Sequence, residues 1–348
     1  MSRWAVALAG GVGSRFWPLS TPDRPKQLLP LIDERPMLVN TLERLAPLVG
    51  PERTLVLTNE SLVGPIRAAC AEHGIAVPDA NIIAEPRPAG TAAALAWAAS
   101  RIVAAGGPDA VMTCVHADWA IGDPDGYRRT LALAAAAAER HDALVTVGIV
   151  PTRADPGFGY IAPGATVDGP LRRVDRFVEK PDRETAARMV ADGYLWNSGI
   201  FVWRASTFLA EIEAHTPEVH GALADAGDSI ARFFGSVQSV SVDVGVLQRS
   251  GRVMVLPGDF GWDDVGTWGA LARVRACDPA GNALSGDVHV THAARNVVHA
   301  HGGAVVLYGV SDLVVVTLDG LTLVTTVERS ADLKTLIDAL PPSLRDRA

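Results

Sequence analysis

The sequence predicts an α/β fold: a largely parallel sheet with helices on both faces, followed by a small β region at the C-terminus. Three observations predict it. Apolar runs of four to seven residues alternate with alanine-rich helical stretches over most of the chain, as expected when helices cover both faces of a sheet. The first apolar run leads directly into a glycine-rich loop. Beyond residue 278 the rhythm changes to short valine-rich segments separated by Gly, Asp or Asn.

In chain order, residues 4–8, 54–57, 81–84, 111–115 and 144–149 read as buried strands. Between them, residues 37–48, 61–73, 91–105 and 127–140 read as helices, with Thr91 as N-cap and Gly106 as the stop of the third. The turn-rich stretch Asp278-Pro279-Ala280-Gly281-Asn282 marks the change of rhythm. Segments at 287–290, 296–299, 304–307, 313–317 and 321–325 then fit either a small meander or a few turns of β-solenoid. Residues 330–340 read as a closing helix with Ser330 as N-cap and Pro341-Pro342 as stop. The expected division is a domain at 1–277 and a short β-solenoid-like domain with closing helix at 278–348.

At 348 residues, 48% apolar and 20% charged, the chain has the composition of a folded globular protein and not of a disordered one. Its 31 Lys+Arg against 39 Asp+Glu give a net charge of −8, which argues against a broad surface for nucleic acid or an acidic membrane. An anionic ligand would need a local basic site or a metal. Three cysteines, Cys70, Cys114 and Cys277, lie far apart without CxxC spacing and read as reduced structural thiols. The N-terminal apolar run with Ala7-Leu8-Ala9 mimics a signal peptide, but it is too short for one, and a cytoplasmic location is expected.

The loop Gly10-Gly11-Val12-Gly13-Ser14-Arg15 lets backbone N–H groups approach a phosphate. A dinucleotide-binding reading wants Gly or Ala where Phe16 stands and a helix next, which Pro18, Pro22, Pro25 and Pro30 forbid. A P-loop reading lacks Gly-Lys-Ser/Thr. What remains is a glycine loop, then Arg15, then a proline-stiffened segment ending in Pro25-Lys26-Gln27. Two fixed cations over one phosphate chain would serve phosphoryl transfer; the plainer alternative is a surface loop with two solvated cations.

Residues 8–20 with Pro25-Lys26-Gln27 closely resemble the signature loop of sugar-1-phosphate nucleotidylyltransferases, in the variant carried by mannose-1-phosphate guanylyltransferases. Five further segments agree in order: Glu85-Pro86 through Thr91-Ala92, 147–152 with 157–161, Phe177-Val178-Glu179-Lys180-Pro181, Trp196-Asn197-Ser198-Gly199-Ile200-Phe201, and Gly261-Trp262-Asp263-Asp264-Val265-Gly266-Thr267-Trp268. The resemblance spans residues 3 to about 330 and implies a Rossmann-like nucleotidyltransferase (GT-A-like) fold. It looks like the single-activity form, without an appended isomerase domain.

The resemblance implies transfer of GMP from GTP to α-D-mannose 1-phosphate, giving GDP-mannose and pyrophosphate. The attacking phosphate is already largely ionised at neutral pH, since second phosphate pKa values are about 6, so no general base is needed. Catalytic roles fall on Arg15, Lys26, Asp118 and Asp264, and Asp118 and Asp264 are the implied ligands of Mg²⁺. The implied nucleotide contacts are Leu8, Gly10, Gly11, Gly13, Ser14, Glu85, Gly90 and Thr91, with Glu85 near the base. Gly159, Glu179, Lys180 and Asn197 are implied for the sugar phosphate. Two departures stand out: Trp119 where relatives usually carry His, and Gly90 where they usually carry Asn, with Arg87 displaced. A homodimer is expected, with the C-terminal β region as a subunit contact or an active-site cover. Alternatives are another nucleotidylyltransferase of the GDP-heptose, ADP-glucose or dTDP-glucose type, or a non-catalytic homologue, against which the presence of Arg15, Lys26 and Asp264 counts.

Overall fold

The computed structural model describes residues 2–11 and 14–345. Its centre is a nine-stranded sheet in the order β3-β2-β1-β4-β9-β6-β10-β8-β7. The first half is parallel: β1 (Arg3–Leu8), β2 (Thr54–Asn59), β3 (Ile82–Glu85) and β4 (Val111–His116). A two-residue strand β5 (Ala120–Ile121) follows, and β6 (Leu144–Ile149) continues the main sheet. The hairpin of β7 (Gly159–Asp168) and β8 (Leu171–Glu179) is antiparallel, and β9 (Leu195–Arg204) runs antiparallel between β4 and β6. Strand β10 (Val253–Gly258) pairs parallel with β6, and the short β11 (Trp262–Asp263) pairs with β5. The chain leaves β1 toward β2 on one side while β4 lies on the other. Open α/β sheets bind ligands at such a reversal, beyond the carboxyl ends of the strands.

Strand β1 shows how the sequence builds two cores. Trp4, Val6 and Leu8 face one apolar cluster and Ala5 and Ala7 face others, as the two-residue period of a strand requires. On the Trp4 face lies α3 (Gly90–Gly106), whose buried alanines let the helix sit close against the sheet. The opposite face is covered by α1 (Met37–Leu45), α2 (Val63–Glu72) and α4 (Pro124–His141). Helix α4 is capped by Asp123, which accepts from the Asp125 and Gly126 amides.

Three local expectations change. Helix α1 stops at Leu45 and not at residue 48, because Pro47 offers no N–H to continue it. Thr91 is not an N-cap: α3 starts at Gly90, and the Thr91 hydroxyl instead accepts from the Val242 amide at 2.9 Å. The same helix ends through Gly107, which takes the positive φ of +82°, one residue beyond the expected stop.

The C-terminal region is a solenoid and not a meander. Strands β12 (Ala283–Ser285), β14 (Val297–Ala300) and β16 (Leu313–Leu318) stack in parallel, and β13 (Val288–Thr291) stacks parallel on β15 (Val305–Tyr308). The last strand, β17 (Leu321–Thr326), turns back antiparallel on β16. At one corner the fully buried Asn282 and Asn296 stack: the Asn296 Nδ2 donates to Asn282 Oδ1 at 2.9 Å, and Asn296 Oδ1 accepts from the Leu313 amide at 3.0 Å. Ser330 does not cap the closing helix, which runs Leu333–Ala339; its hydroxyl accepts from the Gly269 amide at 3.1 Å and donates to Val327 O at 2.6 Å. A single apolar cluster joins Phe16 and Leu31 to Trp268, Val297, Val314 and Leu333, so the solenoid packs directly beneath the segment that follows the glycine loop. Cys70 and Cys114 are buried, Cys277 is exposed, and all three are free thiols. Among the described residues no helix is long and apolar enough to cross a membrane.

Candidate active site

Strands β1 and β4 deliver the first two parts of the site side by side. The β1 exit, Ala9-Gly10-Gly11, is tied down from behind: Gln27 Nε2 donates to Ala9 O at 2.7 Å and to Gly11 O at 3.0 Å, and Asn59 Nδ2 donates to Gly10 O at 3.0 Å. Gln27 of the Pro-Lys-Gln motif is therefore the strut of the glycine loop. Above Gly11 the space is open to 4 Å, as close approach of a ligand requires. Gly13 lies outside the described residues, and Ser14 begins a short turn that ends at Phe16. Leu8 is buried in the core and its carbonyl accepts from the Ala117 amide at 3.0 Å, so it holds the loop to the β4 exit and presents no free polar group.

Lys26 draws the two implied metal ligands together. It is only 7% exposed; its ammonium lies 3.0 Å from Asp118 Oδ2 and donates to the backbone carbonyl of Asp264. Burial works to raise the Asp118 carboxyl, but the Lys26 ammonium, with His116 and a hydrogen bond from Lys26, outweighs it and holds the group below its ordinary value. Asp264 behaves oppositely. Burial pushes it up to about 6, with the neighbouring Asp263 and Asp155 adding to the rise and Lys26 and Arg153 opposing it. Its carboxylate makes no ion pair with a described residue, whereas Asp263 is clamped by Arg273 through bonds of 2.7 and 3.0 Å. Of the adjacent aspartates, one fixes the loop and the other is left for a ligand. Arg15 is exposed, and its guanidinium and the Asp264 carboxylate both border Gly266, where a Cβ would lie 2.7 Å from Asp264 Oδ2 and 3.7 Å from an Arg15 nitrogen.

Glu85, at the end of β3, faces the same loop: a Cβ at Gly10 would lie 3.9 Å from Glu85 Oε1. Burial alone pushes its carboxyl up to about 7. Gly90 has φ +81°, and a Cβ there would come within 2.3 Å of Val240 O, so the missing side chain lets the 237–242 segment close over the start of α3. Arg87 joins this closure by donating to Val237 O at 2.6 Å.

The sugar-phosphate candidates form a second cluster across β7, β8 and β9. Gly159 pairs with Glu179, and a Cβ at Gly159 would lie 2.6 Å from Glu179 Oε2 and 3.3 Å from Asn197 Cβ. Glu179 Oε1 lies 2.9 Å from the largely exposed Lys180 ammonium, and Lys180 takes the unusual φ of +48°. Asn197 Nδ2 donates to Asp243 Oδ1 at 2.8 Å. Asp243 was not visible in the motifs. It opens a π-helical turn, Asp243–Leu247, and burial, with repulsion from Glu179, pushes it up to about 6 against the Asn197 hydrogen bond. Its only sequence signal is a lone acid in the apolar run 240–247.

Residues 4–279 match the nucleotidyl transferase family. The chain belongs to that family. It is 35% identical over 358 residues to a mannose-1-phosphate guanylyltransferase of Salmonella muenchen, covering 98% of this chain and 74% of the relative. It is 37% identical to the xanthan biosynthesis protein XanB of Xanthomonas campestris pv. campestris (strain B100), covering 99% and 74%. A solved structure described as a mannose-1-phosphate geranyltransferase from Thermus thermophilus superposes with a TM-score of 0.89 at 35% identity, covering 97% of this chain and 99% of that one.

Within this nucleotidyltransferase, the Trp119 departure has a packing explanation. Trp119 is 7% exposed, its ring edge-on to Trp262 at 5.9 Å and tilted on His116 at 4.9 Å. His116 stands beside Asp118, and Gly199 leaves room for both rings: a Cβ there would meet Trp119 at 3.0 Å and His116 at 3.2 Å. Arg153 is a second residue the motifs did not single out. It pairs with Asp155 at 2.9 Å, lies over the Trp196 ring at 4.9 Å, and contributes positive charge near Asp264.

Proposed function

We propose that this nucleotidyltransferase transfers the guanylyl group of GTP to α-D-mannose 1-phosphate, forming GDP-mannose and pyrophosphate with the help of Mg²⁺. The observation that carries the reading is the convergence of Lys26 on Asp118 and on the Asp264 loop, at the open end of β1 and β4. The names of the relatives support the choice of mannose 1-phosphate and of a guanylyl donor.

In the reaction a phosphate oxygen of the sugar phosphate forms a bond to the α-phosphorus as the bond from that phosphorus to the α,β-bridging oxygen breaks. The nucleophile arrives ionised and the leaving group departs as pyrophosphate, so the protein supplies position and charge but no base. The Ala9–Gly11 backbone, fixed by Gln27 and Asn59, would cradle the triphosphate, and Arg15 and Lys26 would offset the charge that develops on it. Glu85, when ionised, can accept from both donors on the guanine edge. Glu179 and Asn197 offer hydrogen bonds to sugar hydroxyls, and Lys180 to the sugar phosphate; Asp243 orients Asn197.

The donor set suits Mg²⁺. Among the described residues no group of three or more His, Cys, Asp or Glu is arranged to hold a metal by itself. Two hard carboxylates, Asp118 and Asp264, match an ion that takes one or two protein oxygens and completes its shell with substrate phosphate and water. When bound, Mg²⁺ would neutralise phosphate charge and align the reacting groups. Residues 1–277 would carry this chemistry and 278–348 the solenoid and closing helix. A homodimer is part of the proposal, with β15 as a contact strand because Val306 and Tyr308 are 68% and 73% exposed.

The test is pyrophosphate release with purified protein, Mg²⁺ and each pairing of nucleoside triphosphate with hexose 1-phosphate. Release with GTP and mannose 1-phosphate is expected. Release only with ATP or dTTP, or with none, would overturn the assignment.

A further inference from the structure

We infer, given a hexose 1-phosphate in this site as proposed above, that His116 hydrogen-bonds the hydroxyl on C2 of the acceptor sugar and so distinguishes C2 epimers.

Strand β4 is apolar apart from Thr113 until it reaches His116. Its pairing with β9 runs from Val111 opposite Arg204 to Cys114 opposite Phe201 and stops there. Beyond that point β9 bulges against β6 between Asn197 and Phe201, and Gly199 within the bulge takes φ +75°. Bulges of this kind re-aim side chains beside active sites. The imidazole stands in the opening. Its ring is tilted on Trp119 at 4.9 Å, and Trp119 is in turn edge-on to Trp262. A Cβ at Gly199 would lie 3.3 Å from His116 Nε2, so the glycine keeps that nitrogen uncovered. His116 is half-buried, and neither ring nitrogen has a hydrogen-bond partner among the described residues. A ring fixed by packing, with both nitrogens open, is prepared for a polar ligand.

Three tasks are open to an imidazole here, and two fall away. No base is needed, because the nucleophile arrives ionised. Mg²⁺ prefers oxygen ligands, and among the described residues His116 does not join Asp118 and Asp264 in a group of three that could hold a metal. Binding remains, and position selects the group that is bound. His116 lies two residues before Asp118, at the phosphate end of the site. Through Gly199 it adjoins the Asn197 turn at the sugar end, where Asn197 Oδ1 accepts from the Gly199 amide at 3.2 Å. The part of a hexose 1-phosphate between its phosphate and its remoter hydroxyls is C1 with its neighbours, and the one hydroxyl on a carbon next to C1 is that on C2. This hydroxyl is axial in mannose and equatorial in glucose, the single difference between the two. An imidazole held on one side of the sugar ring bonds one epimer and is left unpaired by the other.

The test measures pyrophosphate release, with the triphosphate that supports it, for mannose 1-phosphate, glucose 1-phosphate and 2-deoxyglucose 1-phosphate. The last lacks the C2 hydroxyl and is the deoxy form of both others. His116→Phe keeps a ring against Trp119 and removes both nitrogens, while His116→Gln returns a donor and an acceptor. In His116→Phe the kcat/KM for mannose 1-phosphate, taken relative to the deoxy acceptor, is expected to fall about tenfold, and the preference for mannose over glucose with it. His116→Gln is expected to recover part of that loss. Both acceptors are compared in one preparation, so a smaller folded fraction cancels from the ratio, and a merely structural role would leave the ratio unchanged. An unchanged ratio in His116→Phe would overturn the inference. Release with glucose 1-phosphate but not with mannose 1-phosphate would overturn the mannose assignment alone, since the ratio of glucose 1-phosphate to its deoxy form still decides the role of His116. No release with any of the three would overturn both.

Discussion

Glu85→Gln separates the functional use of a buried carboxylate from its cost. In the free protein burial raises Glu85 from 4.5 to about 7, and at about 1.4 kcal/mol per unit this amounts to roughly 3 kcal/mol against the ionised form, less whatever solvent screening a partly exposed group retains. Because the folded pKa lies above the unfolded one, the penalty is absent below pH 4.5 and complete once pH has risen through about 7. Urea denaturation of the unaltered protein and of Glu85→Gln, run at pH 5, 6, 7 and 8, should show the variant gaining relative stability as pH rises. The difference should approach but not exceed about 3 kcal/mol. Kinetics should move the other way. A carboxylate that accepts from guanine must be ionised, so the KM for GTP in the unaltered protein should climb below pH 7, and in Glu85→Gln it should be higher and flat across that range. Preference for GTP over ATP should fall in the variant. A stability difference that does not change with pH, together with an unchanged preference, would refute both the burial argument and the role of Glu85 at the base.

Asp264→Asn should abolish pyrophosphate release without lowering the melting temperature, since no described ion pair is lost and a carboxylate that burial pushes up to about 6 is removed; activity retained at the level of the unaltered protein would count against a metal role. Gly90→Ala forces a side chain to within 2.3 Å of Val240 O at a φ of +81°, and should lower stability by about 2 kcal/mol and raise the KM for nucleotide by loosening the Arg87 and Thr91 ties to the 237–242 segment. A melting curve and KM that match the unaltered protein would contradict that packing. Asn296→Leu leaves the Leu313 amide without its partner and removes the bonds from Asn296 Nδ2 to Asn282 Oδ1 and Val310 O, and should cost about 2–4 kcal/mol in thermal or chemical melts. A neutral result would mean that the asparagine stack does not hold the solenoid.

The strands and helices around the glycine loop were legible because each is a single apolar period with a clear break: β1 ends at Leu8 just before the glycines, β4 at His116 just before the Asp118 turn, and α3 at Gly106 beside Gly107. The antiparallel half was less legible. Strands β7 and β9 carry motif residues on one face and core on the other, so their chemistry was easier to read than their pairing. Caps failed where a side chain found a distant partner: Thr91 serves Val242 and Ser330 serves Gly269, and spacing alone cannot report a contact across more than 60 residues. The solenoid could not be told from a meander because both give the same segment rhythm; the decision lies in parallel register and in Asn282 stacking beneath Asn296. Asp243 and Arg153 were invisible for a related reason. Each is a lone charged residue whose meaning comes from what folds against it: Asn197 for the first and Trp196 for the second.

The central claim, that Lys26, Asp118 and Asp264 form the centre of a guanylyl transfer to mannose 1-phosphate, is tested most directly by one substrate matrix. Pyrophosphate release is measured for GTP, ATP, UTP and dTTP against mannose 1-phosphate, glucose 1-phosphate and galactose 1-phosphate, with Mg²⁺ and with chelator. The account predicts release with GTP and mannose 1-phosphate above every other pairing, and its loss in chelator. Faster release with a different triphosphate, or release unaffected by chelator, would contradict it.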